Sequence, residues 1–356
     1  MEVRTVSDKS SNSFLQGLYS SLEHIRGYVA SLVLFEMMKE GVLDLVDQGA
    51  PVTAIAERKG WRADMLEATF EYLVIEDVLE KTTGGQFRLA PYGRELEKHK
   101  GWIYMMIGGY GPIFSSLSKV LQQGPEGATR DGEWVGVGSC LISLYQTIPL
   151  TRHFMQMVNP SPRLMVDFGC GNALYLRTFC ETMPELRAVG IEPSRGGYEA
   201  GLRNIRDNKL EDRITLVNCD ALDYQITEMP EFILFGFVLH ELYAQLGEEG
   251  LVSYLRDIGA KFHGSRLIVM EVDYDIDNHE VMKSPMGRGY YNPYFLLHPF
   301  THQKLLSTAK WYEIFARSGF HVRAFDTVSA DVDPTGLGIG FLLENTKLRE
   351  VGGARS

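Results

Sequence analysis

The first hundred residues carry apolar side chains at the spacing of helices. Between residues 14 and 48 they recur every three to four positions, and Gly41 interrupts the run. Further helical segments are predicted at 51–57 and 61–79, and glycines mark the turn of a small hairpin at 81–89. Three helices followed by a hairpin form a winged-helix pattern, so we predict a small, mainly helical module here.

Beyond residue 160 the pattern changes to short apolar runs that alternate with helical segments. The predicted strands lie at 164–168, 187–191, 213–218, 232–237, 266–272, 320–328 and 338–344. Helices are predicted between them, at about 196–208, 247–262 and 305–318. Unbroken apolar runs such as 232–237 are typical of strands buried on both faces. The alternation predicts an α/β domain with a mainly parallel sheet.

These two patterns divide the chain. A length of 356 residues fits two domains. We predict an N-terminal module at 1–100, a helical linker that covers the active site at 101–160, and the α/β core at 161–346. Residues 347–356 are expected to form a flexible tail.

A glycine turn follows the first core strand, in the run VDFGCGNA that starts at Val166. Gly169 and Gly171 lack a Cβ, so the backbone can adopt positive φ and a ligand can lie against it. The helix that starts near Ala173 presents unpaired N–H groups and the positive end of its dipole at the same place. The sequence therefore predicts a cradle for a nucleotide-like ligand.

Two acidic residues follow at informative positions. Glu192 ends the second core strand, about 20 residues after the glycines, where an acid can bind ribose hydroxyls. Asp220 ends the third strand, where a carboxylate can accept a hydrogen bond from an exocyclic adenine amine. A dinucleotide-dependent dehydrogenase would have a third glycine at position 174, which is Leu174 here, so this alternative is disfavoured.

The runs DFGCGNA, GIEPS and NCDALDY resemble the core of class I S-adenosylmethionine-dependent methyltransferases. The resemblance implies a Rossmann-like fold and S-adenosylmethionine as the cofactor. It implies that Gly169 and Gly171 border the methionine part of the cofactor, Glu192 the ribose and Asp220 the adenine. The other positions expected to contact the cofactor are Asp167, Ala221, Gly236 and Phe237.

The N-terminal module resembles that of small-molecule methyltransferases, which implies a homodimerisation role and a roof over the active site. The apolar face of residues 25–46 is either a partner surface or the inside of the module itself. The net charge of −11 argues against a nucleic-acid partner. No targeting leader or membrane span is apparent, and the four cysteines lack metal or disulfide spacing, so a cytoplasmic location is expected.

Two histidines restrict the resemblance to a smaller group of these methyltransferases. His240 follows the fourth core strand, and His298 lies in the later aromatic segment 294–315. Each alone is more often structural. Together they resemble the α-keto acid C-methyltransferases, which include the 2-ketoarginine, phenylpyruvate and indolepyruvate enzymes. By this resemblance His240 and His298 hold an iron ion or another divalent metal. Glu241 stands where the phenylpyruvate enzyme has an aspartate, and its longer side chain is expected to move a hydrogen bond behind the metal ligands or to change the contact with the substrate.

The resemblance implies methylation of the β-carbon of an α-keto acid through a metal-bound enolate, for modified amino acid or natural-product biosynthesis. His240, Glu241 and His298 are the expected catalytic residues, and the base is left open between a metal-bound hydroxide, Glu241 and a tyrosine. The favoured substrate is 2-ketoarginine, with phenylpyruvate and indolepyruvate as alternatives. A metal-free O-methyltransferase acting on a small molecule is the second hypothesis, and a non-enzymatic subunit with a vestigial fold is the third.

The sequence allows two interpretations of the substrate side chain. Asp273, Asp275 and Asp277 could pair with a guanidinium group, or form a solvated acidic loop. Aromatic residues, among them Tyr290, Tyr291 and Tyr294, could instead accept an aryl pyruvate. Candidates for binding the substrate carboxylate are Arg130, Arg152 and Arg288.

Overall fold

The structure, a computed structural model, forms two compact units, Met1–Gly108 and Gly109–Ser356, and each is described by itself. The residues it describes are 8–220, 223–225 and 228–345. The tail predicted at 347–356 lies outside them. The division predicted at residues 100 and 160 stays a prediction.

The first unit contains the helices and the hairpin that the apolar pattern predicts. Its elements are α1 (Asp8–Lys39), α2 (Val42–Asp47), α3 (Val52–Lys59), α4 (Ala63–Ile75), β1 (Leu79–Lys81), β2 (Phe87–Leu89), α5 (Pro91–Lys98) and α6 (Lys100–Ile103). Gly41 separates the first two helices with a φ of 65°. The strands β1 and β2 pair antiparallel, and Phe87 packs edge-on against Phe70 of α4 at 5.2 Å between ring centroids.

Helix α1 has two different halves. Near its end, Leu34, Met37 and Met38 are buried together with Val42 and Val46 of α2. The preceding five turns expose a row of large apolar side chains, which we call the α1 apolar face: Phe14, Leu15, Leu18, Tyr19, Leu22, Ile25, Tyr28, Val29 and Leu32. The predicted face at 25–46 is therefore core at one end and exposed at the other.

The second unit alternates helices and strands. Its helices are α7 (Gly111–Ser115), α8 (Leu117–Gln123), α9 (Gly132–Ser143), α10 (Thr147–Val158), α11 (Leu174–Thr182), α12 (Arg195–Asp207), α13 (Leu239–Lys261), α14 (His279–Met282), α15 (Asn292–Leu297) and α16 (Thr308–Arg317). Its strands are β3 (Leu164–Phe168), β4 (Arg187–Ile191), β5 (Ile214–Val217), β6 (Phe232–Gly236), β7 (Arg266–Val272), β8 (Phe320–Thr327) and β9 (Gly338–Asn345). A π-helical turn, Gly287–Tyr291, precedes α15, and a short 3₁₀ turn, His298–Phe300, follows it.

The seven strands form one sheet in the order β5-β4-β3-β6-β7-β9-β8. The first five are parallel, and β9 and β8 close the sheet antiparallel. The chain leaves β3 toward β4 on one side and later returns to β6 on the other, so the strand order reverses between β3 and β6. Open α/β sheets bind ligands at the carboxyl ends of strands at such a point. The predicted Rossmann-like fold class is confirmed.

Helices cover both faces of the sheet. On one face Leu255 of α13 and Phe315 of α16 pack against the strands, and on the other Phe154 of α10 and Phe179 of α11 do so. All four side chains are fully buried. Burying a large apolar side chain stabilises a fold by roughly 1.5–3 kcal/mol, so these two layers hold the strand ends in place.

One helix boundary differs from prediction in a way that affects the site. The helix predicted at 247–262 begins earlier, at Leu239, and Gly247 interrupts it with φ 69° and ψ 179°. The segment after residue 240 is polar and contains glycine, so the apolar pattern does not predict the first two turns of this helix. His240 therefore lies in the first turn of this helix.

The four cysteines, Cys140, Cys170, Cys180 and Cys219, are free thiols, as their spacing indicates. Among the described residues, no helix is both long enough and apolar enough to cross a membrane. The cytoplasmic location stays a prediction.

Candidate active site

The glycine turn lies between β3 and α11 and has the backbone its sequence predicts. Gly169 and Gly171 have φ of 75° and 55°. A Cβ at Gly169 would lie 2.6 Å from the Cγ2 of Val238, so no side chain fits there. The carbonyl of Ile191 accepts hydrogen bonds from the N–H groups of Gly169 and Cys170. The turn is thus tied to the end of the neighbouring strand β4.

Glu192 follows β4 and links this turn to the next helix. Its carboxylate accepts the N–H of Gly171 at 2.7 Å and the N–H of Ser194 at 2.8 Å. Burial raises the pKa of Glu192, the two N–H donors oppose that rise, and the charge of Glu241 adds to it. Glu241, the neighbour of His240 in sequence, therefore acts electrostatically on the carboxylate that binds the glycine turn.

The other described residues expected at the cofactor lie around the same edge. Asp220 is exposed just beyond β5, and Gly236 ends β6 with open space where a Cβ would be. Phe237 has a φ of 60°, a strained value for a residue with a side chain. Asp167 is buried within β3, and burial raises its pKa well above the ordinary range. Ala221 lies outside the described residues.

His240 is held by a buried carboxylate. Its Nδ1 lies 2.8 Å from Glu271 of β7, and its backbone N–H donates to the same carboxylate at 3.1 Å. Glu271 is fully buried. Burial alone would lower the pKa of His240, but the charge of Glu271 outweighs it and raises the pKa. With Nδ1–H donating to Glu271, the lone pair of Nε2 is left for another partner.

His298 is held by the backbone instead. Its Nδ1 donates to the carbonyl of Tyr294 at 2.7 Å, one helical turn earlier. Its Nε2 is buried and has no hydrogen-bond partner among the described residues. Burial, assisted by the charge of His240, lowers the pKa of His298 to about 3, so the ring stays neutral at physiological pH.

The two imidazoles come together, with ring centroids 5.3 Å apart. Each has Nδ1 fixed by an acceptor, which is how metal-binding histidines are usually oriented, and the Nε2 of His298 has no partner among the described residues. The Nε2 atoms of Gln303 and His240 are 3.4 Å apart, so a carboxamide adjoins the pair. Among the described residues, no group of three or more His, Cys, Asp or Glu side chains converges as a metal site. The donors that the site offers a divalent metal are therefore two imidazole nitrogens, which would leave its other positions to a ligand.

Glu241 lies beside the histidines and is paired. Its carboxylate accepts Arg130 at 2.9 Å and the amide of Gln303 at 2.5 Å. Burial would raise the pKa of Glu241, but Arg130 and His240 outweigh it and lower the pKa. Arg130 also donates to Tyr110, a fully buried phenol. Glu241 is therefore an ionised carboxylate at neutral pH.

Comparison with known proteins identifies the family. Over 329 residues the chain is 31% identical to 2-ketoarginine methyltransferase of Streptomyces arginensis, covering 92% of this chain and 95% of that protein. The chain belongs to this family of S-adenosylmethionine-dependent methyltransferases. It matches no protein-family model.

Solved structures show the same fold at low identity. Mitomycin 7-O-methyltransferase aligns with a TM-score of 0.62 at 16% identity, over 94% of this chain and 99% of that one. An O-methyltransferase from neocarzinostatin biosynthesis, solved with S-adenosylmethionine and a hydroxynaphthoic acid, aligns with a TM-score of 0.53 at 18% identity, over 89% and 96% of the two chains.

The candidate site contains two residues that sequence reasoning missed. Glu271 had a signal, a charged residue near the end of the otherwise apolar run RLIVMEV. Gln303 had none, because nothing near it in sequence marks it. Two of the arginines considered as ligands of the substrate carboxylate have different surroundings. Arg130 pairs with Glu241 beside the histidines, whereas Arg152 bonds to Thr182.

The acidic loop has a structural duty at its first position. The carboxylate of Asp273 accepts the N–H of Thr308 at 2.6 Å, at the start of α16. This bond occupies one carboxylate oxygen of Asp273, which the sequence suggests as a partner for a guanidinium group of the substrate. Arg288 is exposed in the π-helical turn.

Proposed function

We propose that this methyltransferase transfers a methyl group to the β-carbon of an α-keto acid, using a metal held by His240 and His298. The favoured substrate is 2-ketoarginine, with phenylpyruvate and indolepyruvate as alternatives. The similarity to 2-ketoarginine methyltransferase supports this substrate class. A β-methylated keto acid is a precursor of a modified amino acid, which suits natural-product biosynthesis.

One observation carries the proposal. His298 offers a buried Nε2 without a hydrogen-bond partner among the described residues, next to His240. An unsatisfied buried nitrogen costs about 1–3 kcal/mol, so such an atom is expected to have a ligand. His240 and His298 lie in different elements and are both oriented through Nδ1. A structural histidine would need neither the empty Nε2 nor the partner ring.

The cofactor is S-adenosylmethionine, as in the family. We propose that the turn at Gly169 and Gly171 admits its methionine part, because no Cβ blocks the approach. Glu192 would accept the ribose hydroxyls and Asp220 the adenine amine. Asp167, Ala221, Gly236 and Phe237 complete the proposed contacts.

The metal fits the donors of the site. His240 and His298 would bind it through Nε2. The amide oxygen of Gln303 accepts the hydroxyl of Thr301, so Gln303 would orient its neighbour Glu241 rather than bind the metal. Neutral imidazoles with open positions suit iron, and other divalent ions are compatible. When bound, the metal supplies a Lewis acid that polarises the keto oxygen and lowers the pKa of the β C–H group. The carboxylate of Glu271 lies against the Nδ1 of His240, so its negative charge favours a metal ion bound to the other nitrogen of that ring.

The remaining residues position the substrate and take its proton. We propose that Arg130 binds the substrate carboxylate. Its guanidinium group pairs with Glu241, which lies beside the two histidines. Glu241 is the ionised group proposed to accept the β-proton. Tyr110 and Tyr294 are poorer bases, because burial raises the pKa of both phenols and keeps them protonated.

A metal-free O-methyltransferase is the second candidate. The His240–Glu271 pair favours it, because a buried carboxylate on Nδ1 also prepares an imidazole to act as a general base through Nε2. In that case His240 would deprotonate a substrate hydroxyl, and His298 would have no chemical role.

The deciding experiment compares His240→Ala and His298→Ala with the wild type. Metal content would be measured by elemental analysis, and methyl transfer to 2-ketoarginine by mass spectrometry with carbon NMR of the product. We expect about one iron per chain in the wild type, lost in both variants together with activity. His302→Ala is the matched control, because His302 is an exposed histidine close in sequence.

The outcomes separate the two candidates. A wild type that takes up no divalent metal even with keto acid present would contradict the metal proposal. Activity on phenols that survives His298→Ala and chelation would establish the O-methyltransferase instead.

We further propose a homodimer that buries the α1 apolar face against α1 of a second copy. This face is a continuous stripe on one long helix, and monomeric proteins rarely expose an apolar surface of that length. A stripe on one helix can pair with its own copy through a two-fold axis.

A further inference from the structure

Helix α12 packs directly on the glycine turn between β3 and α11. A Cβ at Gly201 of this helix would lie 3.3 Å from the carbonyl oxygen of Gly171 and 3.4 Å from the carbonyl carbon of Asn172. One helical turn later, the side-chain Nδ2 of Asn204 donates a hydrogen bond to the carbonyl oxygen of Asn172 at 2.9 Å. The helix therefore contacts the backbone of the turn by close packing and by a hydrogen bond.

The carboxamide of Asn204 is oriented by a residue of α11. Its Oδ1 accepts a hydrogen bond from Nη1 of Arg177 at 2.9 Å. A guanidinium group can only donate, so Arg177 selects the orientation of the carboxamide in which Nδ2 faces the turn. Both side chains are half-buried, which limits the competition from water. Helices α11 and α12 thus fix one carbonyl group of the turn together.

This carbonyl belongs to the peptide group that precedes a strained residue. Ala173 has a φ of 60° and is completely buried. Positive φ is unfavourable for alanine, because its Cβ approaches the following carbonyl oxygen, whereas glycine adopts it without that clash. Rotating the peptide group between Asn172 and Ala173 by half a turn would give Ala173 a negative φ. It would also turn the carbonyl of Asn172 away from Asn204.

Two hydrogen bonds hold this peptide group in the orientation that strains Ala173. One is the bond from Asn204 to the carbonyl of Asn172, and the other runs from the N–H of Ala173 to the carbonyl of Cys170 at 2.9 Å. A strained backbone conformation persists only where its surroundings enforce it. The side chain of Asn204 therefore opposes the relaxation of the turn.

We propose that Asn204 is a positioning residue for S-adenosylmethionine, because its bond to Asn172 keeps the glycine turn in the shape that receives the cofactor. This inference rests on the proposed cofactor contacts at Gly169 and Gly171 and adds the residue that maintains their backbone. The methionine part of the cofactor ends in an ammonium and a carboxylate group. Both need hydrogen-bonding groups of the backbone at fixed places, and a rotated peptide group would move them.

The first test compares Asn204→Ala with Asn204→Asp by calorimetric titration with S-adenosylmethionine. Alanine removes the donor. Aspartate keeps the size and the acceptor for Arg177, but it places an oxygen against the carbonyl oxygen of Asn172. We expect the dissociation constant to rise about fivefold for alanine and about tenfold for aspartate, within the range for the loss of one hydrogen bond.

The decisive test repeats Asn204→Ala in an Ala173→Gly background. Glycine tolerates positive φ, so the turn needs the bond from Asn204 less. We expect Asn204→Ala to weaken binding about fivefold with alanine at residue 173 and less than about twofold with glycine there. A side chain that only supported the packing of α12 would cause the same loss in both backgrounds.

Steady-state kinetics gives a second readout. In Asn204→Ala the KM for S-adenosylmethionine should rise by the same factor as the dissociation constant, whereas kcat at saturating cofactor should stay at the wild-type value. A loss of folded enzyme would lower kcat instead. Asn278→Asp is the matched control, because Asn278 is exposed and its side-chain oxygen still accepts the N–H of Val281 after the substitution.

The outcomes separate this inference from the proposed cofactor contacts. Unchanged affinity in Asn204→Ala and Asn204→Asp, or an equal loss in both backgrounds of residue 173, would overturn the inference. Glu192→Ala tests the proposed contacts by themselves. If Glu192→Ala bound S-adenosylmethionine as tightly as the wild type, the proposed contact of Glu192 with the ribose would be refuted instead.

Discussion

At the scale of single residues, the two histidines show how surroundings make one residue type into two different groups. Both are buried, yet the pKa of His240 is raised and that of His298 is lowered to about 3. Burial opposes the charged form of each ring. The difference comes from the partner of Nδ1, a carboxylate for His240 and a neutral carbonyl for His298. His298 is thus neutral at physiological pH, whereas the carboxylate of Glu271 favours a positive charge on the ring of His240.

Glu271→Gln tests this account. Glutamine keeps the size and can still accept the Nδ1–H of His240, but it removes the negative charge. We expect metal affinity and kcat/KM to fall by about 10- to 100-fold, the usual effect of altering a group that orients a metal-binding histidine. Metal titration and steady-state kinetics would measure it.

Glu280→Gln is the control for that substitution, because Glu280 is exposed on α14. A Glu271→Gln enzyme with unchanged metal affinity and unchanged kcat/KM would show that the carboxylate contributes only to packing.

At the scale of elements, the antiparallel strands β8 and β9 close the sheet beyond β7 and share a cluster of charges. Glu344 of β9 lies 3.0 Å from Arg266 of β7 and 3.5 Å from His321 of β8, and it also pairs with Arg323. The apolar run of β9 predicts a strand, but its direction and neighbours depend on long-range pairing. The carboxylate thus joins three strands at the sheet edge.

The stability contributed by Glu344 should depend on pH. Burial alone would raise the pKa of Glu344, but Arg323 and Arg266 outweigh it and hold the pKa below its ordinary value of 4.5. A lowered pKa in the folded state gives stability that is present above the unfolded-state value and lost as the pH falls through the folded one. Glu344→Gln should lower the free energy of unfolding by about 1 kcal/mol at pH 7, and by less below pH 4.5.

Urea unfolding at several pH values would measure this difference. Glu185→Gln serves as the control, since Glu185 is an exposed acid on the loop before β4. A loss from Glu344→Gln that stayed constant from pH 7 down to pH 3 would show that the effect is not electrostatic.

At the scale of the whole molecule, the α1 apolar face is a long exposed apolar surface on one helix of the described chain. Its members are between 39% and 71% exposed. Each turn of a helix rises 5.4 Å, so a face from residue 14 to 32 extends for roughly 28 Å. A surface of that length is enough to support a helix-to-helix contact between two copies.

The double variant Leu18→Glu with Leu22→Glu should convert the proposed dimer to a monomer. Placing a carboxylate in the middle of an apolar contact leaves a buried charge without a partner, which is strongly unfavourable. Sedimentation equilibrium would report the mass. Leu121→Glu is the control, because Leu121 is an exposed leucine on α8 that lies outside this face. A wild type with the mass of one chain would refute the dimer.

The sequence by itself determined the local features of this protein. Apolar runs marked every core strand, glycines marked the turn after β3, and the distance to Glu192 marked an acid at the next strand end. These features could be predicted because each depends on a few neighbouring residues, on side-chain periodicity and on steric limits at glycine. His240 and His298 could be selected only with the help of a family resemblance.

The tertiary structure decided which of these residues meet. Arg130 pairs with Glu241 across 111 positions of sequence, and Gln303 adjoins His240 across 63. Glu271 reaches His240 because β6 and β7 are adjacent in the sheet. No local pattern encodes these contacts, since they depend on strand order and on how α13 and α15 pack beside the sheet. The raised pKa of His240 follows from one of those contacts, the pairing with Glu271.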